Sequence, residues 1–178
     1  MADRIWVLAR QEAKRVRNSF LPDDEKGAIS LSKLCRYLDI DVQLADLKPG
    51  ISGFIQKEHP NEQPFIVLNK NEPVLRQRFT LAHELGHYFE RKMNNDLEYT
   101  FVDSRSSNDY DLHEFYADEF AGELLMPADQ IEELRANGRD EIYMAKYFKV
   151  TIPAIEKRLE RIRLGEEEAA SRVTNTPA

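Results

Sequence analysis

Two histidines four residues apart, in the run His83-Glu84-Leu85-Gly86-His87, constrain the fold of this chain more than any other feature. At that spacing on a helix they lie on one face, about one turn apart, so both imidazoles can reach a single ion. The flanking sequence permits such a helix: Glu72-Pro73 suits a first turn, and no breaker other than Gly86 follows between Val74 and about Lys92. Zinc prefers nitrogen and sulfur ligands in a tetrahedron, and a catalytic zinc leaves one position to water, so a third protein ligand must come from elsewhere. Glu84 would lie beside that water rather than on the metal, placed to act as a general base. Chance expects roughly 0.01 copies of His-Glu-x-x-His in a chain of this composition. Half of the chain's 4 histidines fall in this one copy.

No histidine follows at the six-residue spacing that would complete the ligand set locally. Leu112, Tyr116, Phe120 and Leu124 repeat every four residues and predict a helix from about Asp111 to Leu125. Glu114 and Asp118 share one face of it, in a segment otherwise apolar at Phe115, Ala117, Phe120 and Ala121. A carboxylate buried without compensation is costly, and a metal supplies the compensation. Glu114 is therefore assigned as the third ligand, and Asp118 as the acceptor that orients a ligating histidine through its other ring N–H. A solvated helix face is the plainer alternative for the pair. His113 projects about 100° away from Glu114 and suits a ligand role less well. Gly86 would let another helix or a substrate approach closely, while Leu81, Ala82, Leu85 and Phe89 read as core. Manganese or iron could occupy the same donor set as zinc, since availability as well as affinity decides loading.

The rest of the chain reads as α+β, mostly helical with a small sheet of about three strands beside the helix that carries the histidines. Helices are predicted over 3–20, from Ser30 to about Asp39, and over 130–136, 141–148 and 152–164. Residues 50–55 and 64–69 are short β-branched and aromatic runs that read as two paired strands. The polar stretch 94–110 reads as a flexible loop, and 166–178 as a flexible tail. At 178 residues and 42% hydrophobic content the chain suits one domain, over residues 1–165. No apolar run approaches the 18 or so residues of a bilayer span, so no membrane role is expected. The first residues lack the order of a secretory signal, and the single cysteine, Cys35, reads as core and fits a reducing cytoplasm.

Two basic stretches interrupt a formal net charge of −7. Arg10, Lys14 and Arg17 follow a helical spacing that a solvated face explains. Residues 140–165 read as helix-turn-helix-like, with Lys157, Arg158, Arg161 and Arg163 making the last helix basic. A DNA-binding module is thus one competing reading, although the overall charge and Glu156 and Glu160 argue against direct DNA contact.

The run Arg76-Gln77-Arg78-Phe79-Thr80-Leu81-Ala82-His83-Glu84-Leu85-Gly86-His87 is followed by Glu114-Phe115-Tyr116-Ala117-Asp118-Glu119-Phe120-Ala121-Gly122-Glu123-Leu124-Leu125-Met126-Pro127. Together they resemble the ImmA/IrrE family of bacterial and phage metallopeptidases, over roughly residues 25–165. The resemblance implies a zincin-like fold with Glu114 as third zinc ligand, in agreement with the choice above. It implies a metallo-endopeptidase that cuts a partner helix-turn-helix repressor or antitoxin, often encoded nearby, and so relieves repression. The genes released in such systems serve stress responses, mobile elements or prophages, and some members serve toxin–antitoxin or phage-defence pairs. At this length no C-terminal sensor domain of the kind longer relatives carry is expected, so any signal is expected to act on the peptidase domain, the substrate or another protein. For the oxyanion of peptide hydrolysis the candidate donors are His113, Tyr88, Tyr110 or a residue of the 94–110 loop. An edge of the paired strands could bind an extended substrate, with Gly53, Phe54 and Ile55 as contacts, although sheet core is the plainer role for these three. A further competing reading keeps the metal but not the cleavage, leaving a binding partner or toxin component, and intact Glu84 speaks against it.

Overall fold

The computed structural model describes residues 2–20, 26–59, 61–94, 99–104 and 112–174. A first helix, α1 (Ala2–Phe20), and a short second one, α2 (Leu31–Tyr37), lead into strands β1 (Asp41–Ala45), β2 (Ile51–Lys57) and β3 (Phe65–Asn69). Helix α3 (Val74–Met93) follows, then strand β4 (Tyr99–Ser104), and then α4 (Leu112–Leu125), α5 (Ala128–Ala136), α6 (Glu141–Phe148) and α7 (Ile152–Thr174). The architecture is α+β, as expected. None of the described helices is long and apolar enough to cross a membrane.

The sheet has four strands in the order β1-β3-β2-β4. The two strands read from sequence, β2 and β3, are indeed antiparallel neighbours, with Gly53 opposite Leu68 and Phe54 opposite Val67. Strand β1 adds parallel to β3 and β4 antiparallel to β2. Both additions are edge strands. Strand β1 (Asp-Val-Gln-Leu-Ala) is mostly exposed and lacks the β-branched run that marks a buried strand. Strand β4 lies inside the segment expected to be a loop; the remainder of that segment, 95–98 and 105–110, falls outside the described residues.

This topology corrects the expectation that Gly53, Phe54 and Ile55 offer a free strand edge to a substrate. They lie in β2, whose backbone is already paired on both sides, and Ile55 is fully buried. Gly53 has a packing role instead: a Cβ there would meet Thr80 Cγ2 and the Val67 carbonyl oxygen, each at 2.8 Å, so its absence lets the sheet press against α3.

Helix α3 lies across β2 and β3 on one side and packs along α4 on the other. Its buried residues, among them Leu81, Ala82, Leu85 and Phe89, are those read as core. One hydrophobic cluster joins them to Ala9, Ala13 and Val16 of α1, Cys35 of α2, Phe120 and Leu124 of α4, and Phe148 and Ile155 of the last two helices. Cys35 is 2% exposed, and burial pushes its thiol up to about 11. Two basic residues of α1 do not face solvent as expected: Arg17 donates to the carbonyls of Leu124 and Gly27 at 3.0 Å each, and Arg10 donates to Glu119 at 2.7 Å. The last helix runs to Thr174, through most of the stretch read as a tail, and 175–178 lies outside the described residues.

Candidate metal centre

The site is made where α3 crosses α4, and a missing side chain sets the distance. A Cβ on Gly86 would stand 2.7 Å from Ala117 Cα and 3.0 Å from its carbonyl oxygen, closer than two such atoms approach. Glycine at 86 therefore brings the two backbones together, which is the helix-packing half of its expected role. On α3, His83 and His87 flank this contact, and on α4, Glu114 and Asp118 flank Ala117 at the same three- and one-residue offsets that a helix face requires.

The three expected ligands converge. His83 Nε2 lies 3.2 Å from Glu114 Oε2, His87 Nε2 lies 3.3 Å from Glu114 Oε1, and the two Nε2 atoms are 3.2 Å apart. Ligands held about 2.0–2.1 Å from a tetrahedral centre lie about 3.3 Å from one another. The observed separations are of that size, with one Glu114 oxygen toward each histidine. The chemistry of the donors points the same way. Two imidazole lone pairs and a carboxylate aimed at one point repel unless a positive charge sits between them. His83, His87 and Glu114 form the group among the described residues that could hold a metal ion.

Protonation states carry the same signature. Burial disfavours charge on His83, but hydrogen bonds to Asp118 and Glu114 outweigh it and raise its pKa well above the ordinary histidine value. For His87 burial prevails over the attraction of Glu114 and its pKa falls. Burial would raise Glu114, yet its contacts with His83 and His87 bring it down to about 2. The cluster thus stabilises one positive charge at its centre, and a divalent cation would satisfy all three donors at once.

Asp118 holds the opposite edge of the His83 ring, with Oδ1 3.1 Å from Nδ1. A proton on Nδ1 shared with Asp118 leaves Nε2 as the lone pair facing the cluster. Its other oxygen, Oδ2, accepts from Lys157 Nζ at 3.0 Å and Arg161 Nη2 at 3.2 Å, both on α7. Burial works against ionisation of Asp118, but His83 and these two cations hold its pKa well below the usual carboxylate range. Glu84 is fully buried on α3 between the two histidines, close enough for its charge to act on His83.

The remaining site expectations fare differently. His113 Nδ1 lies 2.7 Å from Glu90 Oε1, which fixes its ring one residue before Glu114. Tyr88 packs edge-on against Phe89, with the Lys92 ammonium 5.8 Å from its ring centre. Tyr110 lies outside the described residues. The basic face of α7 was read as a candidate DNA surface, but Arg158 and Arg161 turn inward, while Lys157 and Arg163 are exposed. Arg158, 2% exposed, donates to Glu123 and to the Met126 carbonyl at 3.2 Å, and Arg161 Nη1 donates to Glu119 at 2.8 Å. Cations spent on internal carboxylates are not presented to a phosphate backbone. Sequence reading missed this role of Lys157, Arg158 and Arg161. The signal that could have found it is Glu119 and Glu123, two further carboxylates in the same apolar helix that need partners as much as Glu114 and Asp118 do.

A helix bearing His-Glu-x-x-His, a carboxylate of α4 within 3.3 Å of both histidines, and a small mixed sheet beside them fit a zincin-like metallopeptidase, a class that works with a divalent metal. The family model described as the IrrE N-terminal-like domain matches residues 35–160, and the chain belongs to this ImmA/IrrE family of metallopeptidases. Among curated proteins it is similar to Metallopeptidase ImmA of Bacillus subtilis (strain 168), 29% identical over 138 residues, which is 76% of this chain and 78% of that relative.

Proposed function

We propose that this chain is a zinc-dependent metallo-endopeptidase that works in the cytoplasm and cuts one regulatory protein, a helix-turn-helix repressor or antitoxin encoded nearby, thereby relieving repression. The observation that carries the reading is the set of three contacts of 3.2–3.3 Å among His83, His87 and Glu114. On this reading His83, His87 and Glu114 hold zinc, with manganese or iron as substitutes, and residues 1–165 act as one domain. Zinc bound there supplies Lewis acidity toward the scissile carbonyl. Glu84 accepts the proton of the attacking water and passes it to the leaving amine, a role that its place between the two histidines supports. Asp118 keeps the His83 ring in the tautomer that ligation needs. Of the oxyanion donors considered, His113 has the best support, because Glu90 of the histidine-bearing helix fixes its ring.

The test is direct. The full chain loaded with zinc is incubated with the helix-turn-helix protein encoded beside it, and products are read by mass spectrometry. Wild type is expected to give two defined fragments. Glu84→Gln is expected to keep its zinc and lose activity by about 10²–10⁴-fold. An intact partner after incubation with zinc-loaded wild type would remove the cleavage reading and leave a metal-containing binding protein.

A further inference from the structure

Between the first turns of α3, the middle of α4 and the start of α7 lies a cavity of about 180 Å³. Asp118 forms part of its wall, and neither histidine of the metal centre does. One part of the lining is apolar, with Phe79, Met126, Val150 and Ala154. The other is charged and unbalanced: Arg76, Lys157, Arg158 and Arg161 face only two carboxylates, Asp118 and Glu119. The amino-terminal turn of the long helix α7 also borders it through Thr151, Pro153 and Ala154, adding the positive end of a helix dipole.

The second observation is an arginine that the protein does not saturate. Arg158 is 98% buried by its 2% exposure, yet its Nη1 has no hydrogen-bond acceptor among the described residues, only Glu119 Oε2 at 3.6 Å. That nitrogen stands beside Gly122, itself a wall of the cavity; a Cβ on Gly122 would lie 3.3 Å from Arg158 Cδ and 3.6 Å from Nη1. Arg76 Nε, on the facing helix, is likewise buried without an acceptor. Both nitrogens are sealed from solvent, so they place positive charge directly behind the wall of the cavity. Charge that is incompletely matched behind a wall of low dielectric acts strongly on an anion in the cavity.

We propose that this cavity binds a small free organic carboxylate with a compact apolar body. The volume is of the class that admits one benzene-sized group, about 150 Å³. The apolar wall takes the body, and the carboxylate meets Lys157 and Arg161, with the charge of Arg158 behind them. Lys157 and Arg161 already hold Asp118 Oδ2, while Asp118 Oδ1 holds His83. The bound carboxylate therefore competes for the cations that fix Asp118, and the hold on His83 loosens. Metal affinity falls, and by linkage the metal weakens the carboxylate by the same factor. The coupling rests on the ligand assignment proposed above; the binding does not.

Benzoate, phenylacetate and hexanoate are titrated by calorimetry into the metal-free full chain, with benzamide as the uncharged control. We expect saturable binding of one equivalent of at least one carboxylate, at least tenfold tighter than benzamide. Ala154→Leu, which fills the cavity, and Lys157→Gln are each expected to weaken it at least tenfold, with folding of both variants verified by circular dichroism. Binding of none of the three, or equal binding by wild type and Ala154→Leu, overturns the site. An acetylated tripeptide ending in a free phenylalanine carboxylate distinguishes the source: tighter binding than the best small carboxylate would assign the cavity to a protein C-terminus and overturn the free-ligand proposal. For the coupling, zinc affinity is measured by chelator competition with and without the ligand. A loss of threefold or more in wild type and none in Ala154→Leu is expected, since direct coordination of zinc by the ligand is common to both proteins. Equal responses in the two would overturn the coupling while leaving the binding result, and the peptidase reading, to stand on their own tests.

Discussion

The two sides of α4 use the same residue type to opposite ends. Toward α3, Glu114 and Asp118 meet histidines; toward α1 and α7, Glu119 and Glu123 meet Arg10, Arg158 and Arg161. An arginine always carries its charge and offers only donors, so it closes an ion pair with a carboxylate completely. A histidine can be neutral and offer a lone pair, so the same carboxylate beside it makes a place that calls for a cation. The difference teaches that burial of a carboxylate does not by itself mark a metal site. The partner's chemistry decides. Asp118 sits on the seam, with one oxygen on each side.

Three substitutions test this division, in decreasing order of expected effect. Arg158→Met leaves Glu119 and Glu123 short of a buried counter-charge and should cost about 3–5 kcal/mol of stability, read from the denaturation midpoint. Zinc affinity of the folded variant should stay as in wild type, and a matching fall would erase the distinction between the sides. Gly86→Ala drives a Cβ into Ala117 and should cost about 1–3 kcal/mol as overpacking. Because that crossing sets the distance between the histidines and Glu114, it should lower stability and zinc affinity together. Asp118→Asn should act mainly on the metal, reducing zinc affinity about 10–100-fold in chelator competition, with a smaller change in midpoint. If its stability loss exceeded that of Arg158→Met, Asp118 would belong to the structural side instead.

Much of this was legible in local patterns. The spacing of His83 and His87 and the absence of breakers around them sufficed for α3, and the apolar setting of Glu114 and Asp118 sufficed to bring α4 to it. Strands β2 and β3 were readable because they are central and strongly β-branched or aromatic. Strands β1 and β4 were not, since an edge strand is held by a neighbour's backbone rather than by its own composition. The pairing of Lys157 and Arg161 with Asp118 was equally hidden, because that partner lies about forty residues away in sequence and only tertiary packing brings it near. The same holds for Gly53, which reads as a strand glycine of no stated purpose until α3 is seen pressing on it.

The proposed ligand set is divided between α3 and α4, with a strand between them in the chain, and this has a consequence for the protein's life in the cell. A set of donors assembled only by tertiary packing does not exist in the unfolded chain, so metal bound by His83, His87 and Glu114 acts as a staple on the native state. Free metal at a hundred times its dissociation constant would add about 2.7 kcal/mol. A starved chain loses that margin and spends more time open to housekeeping proteases. Metal supply would then govern how many copies of the protein persist, separately from how fast each one works.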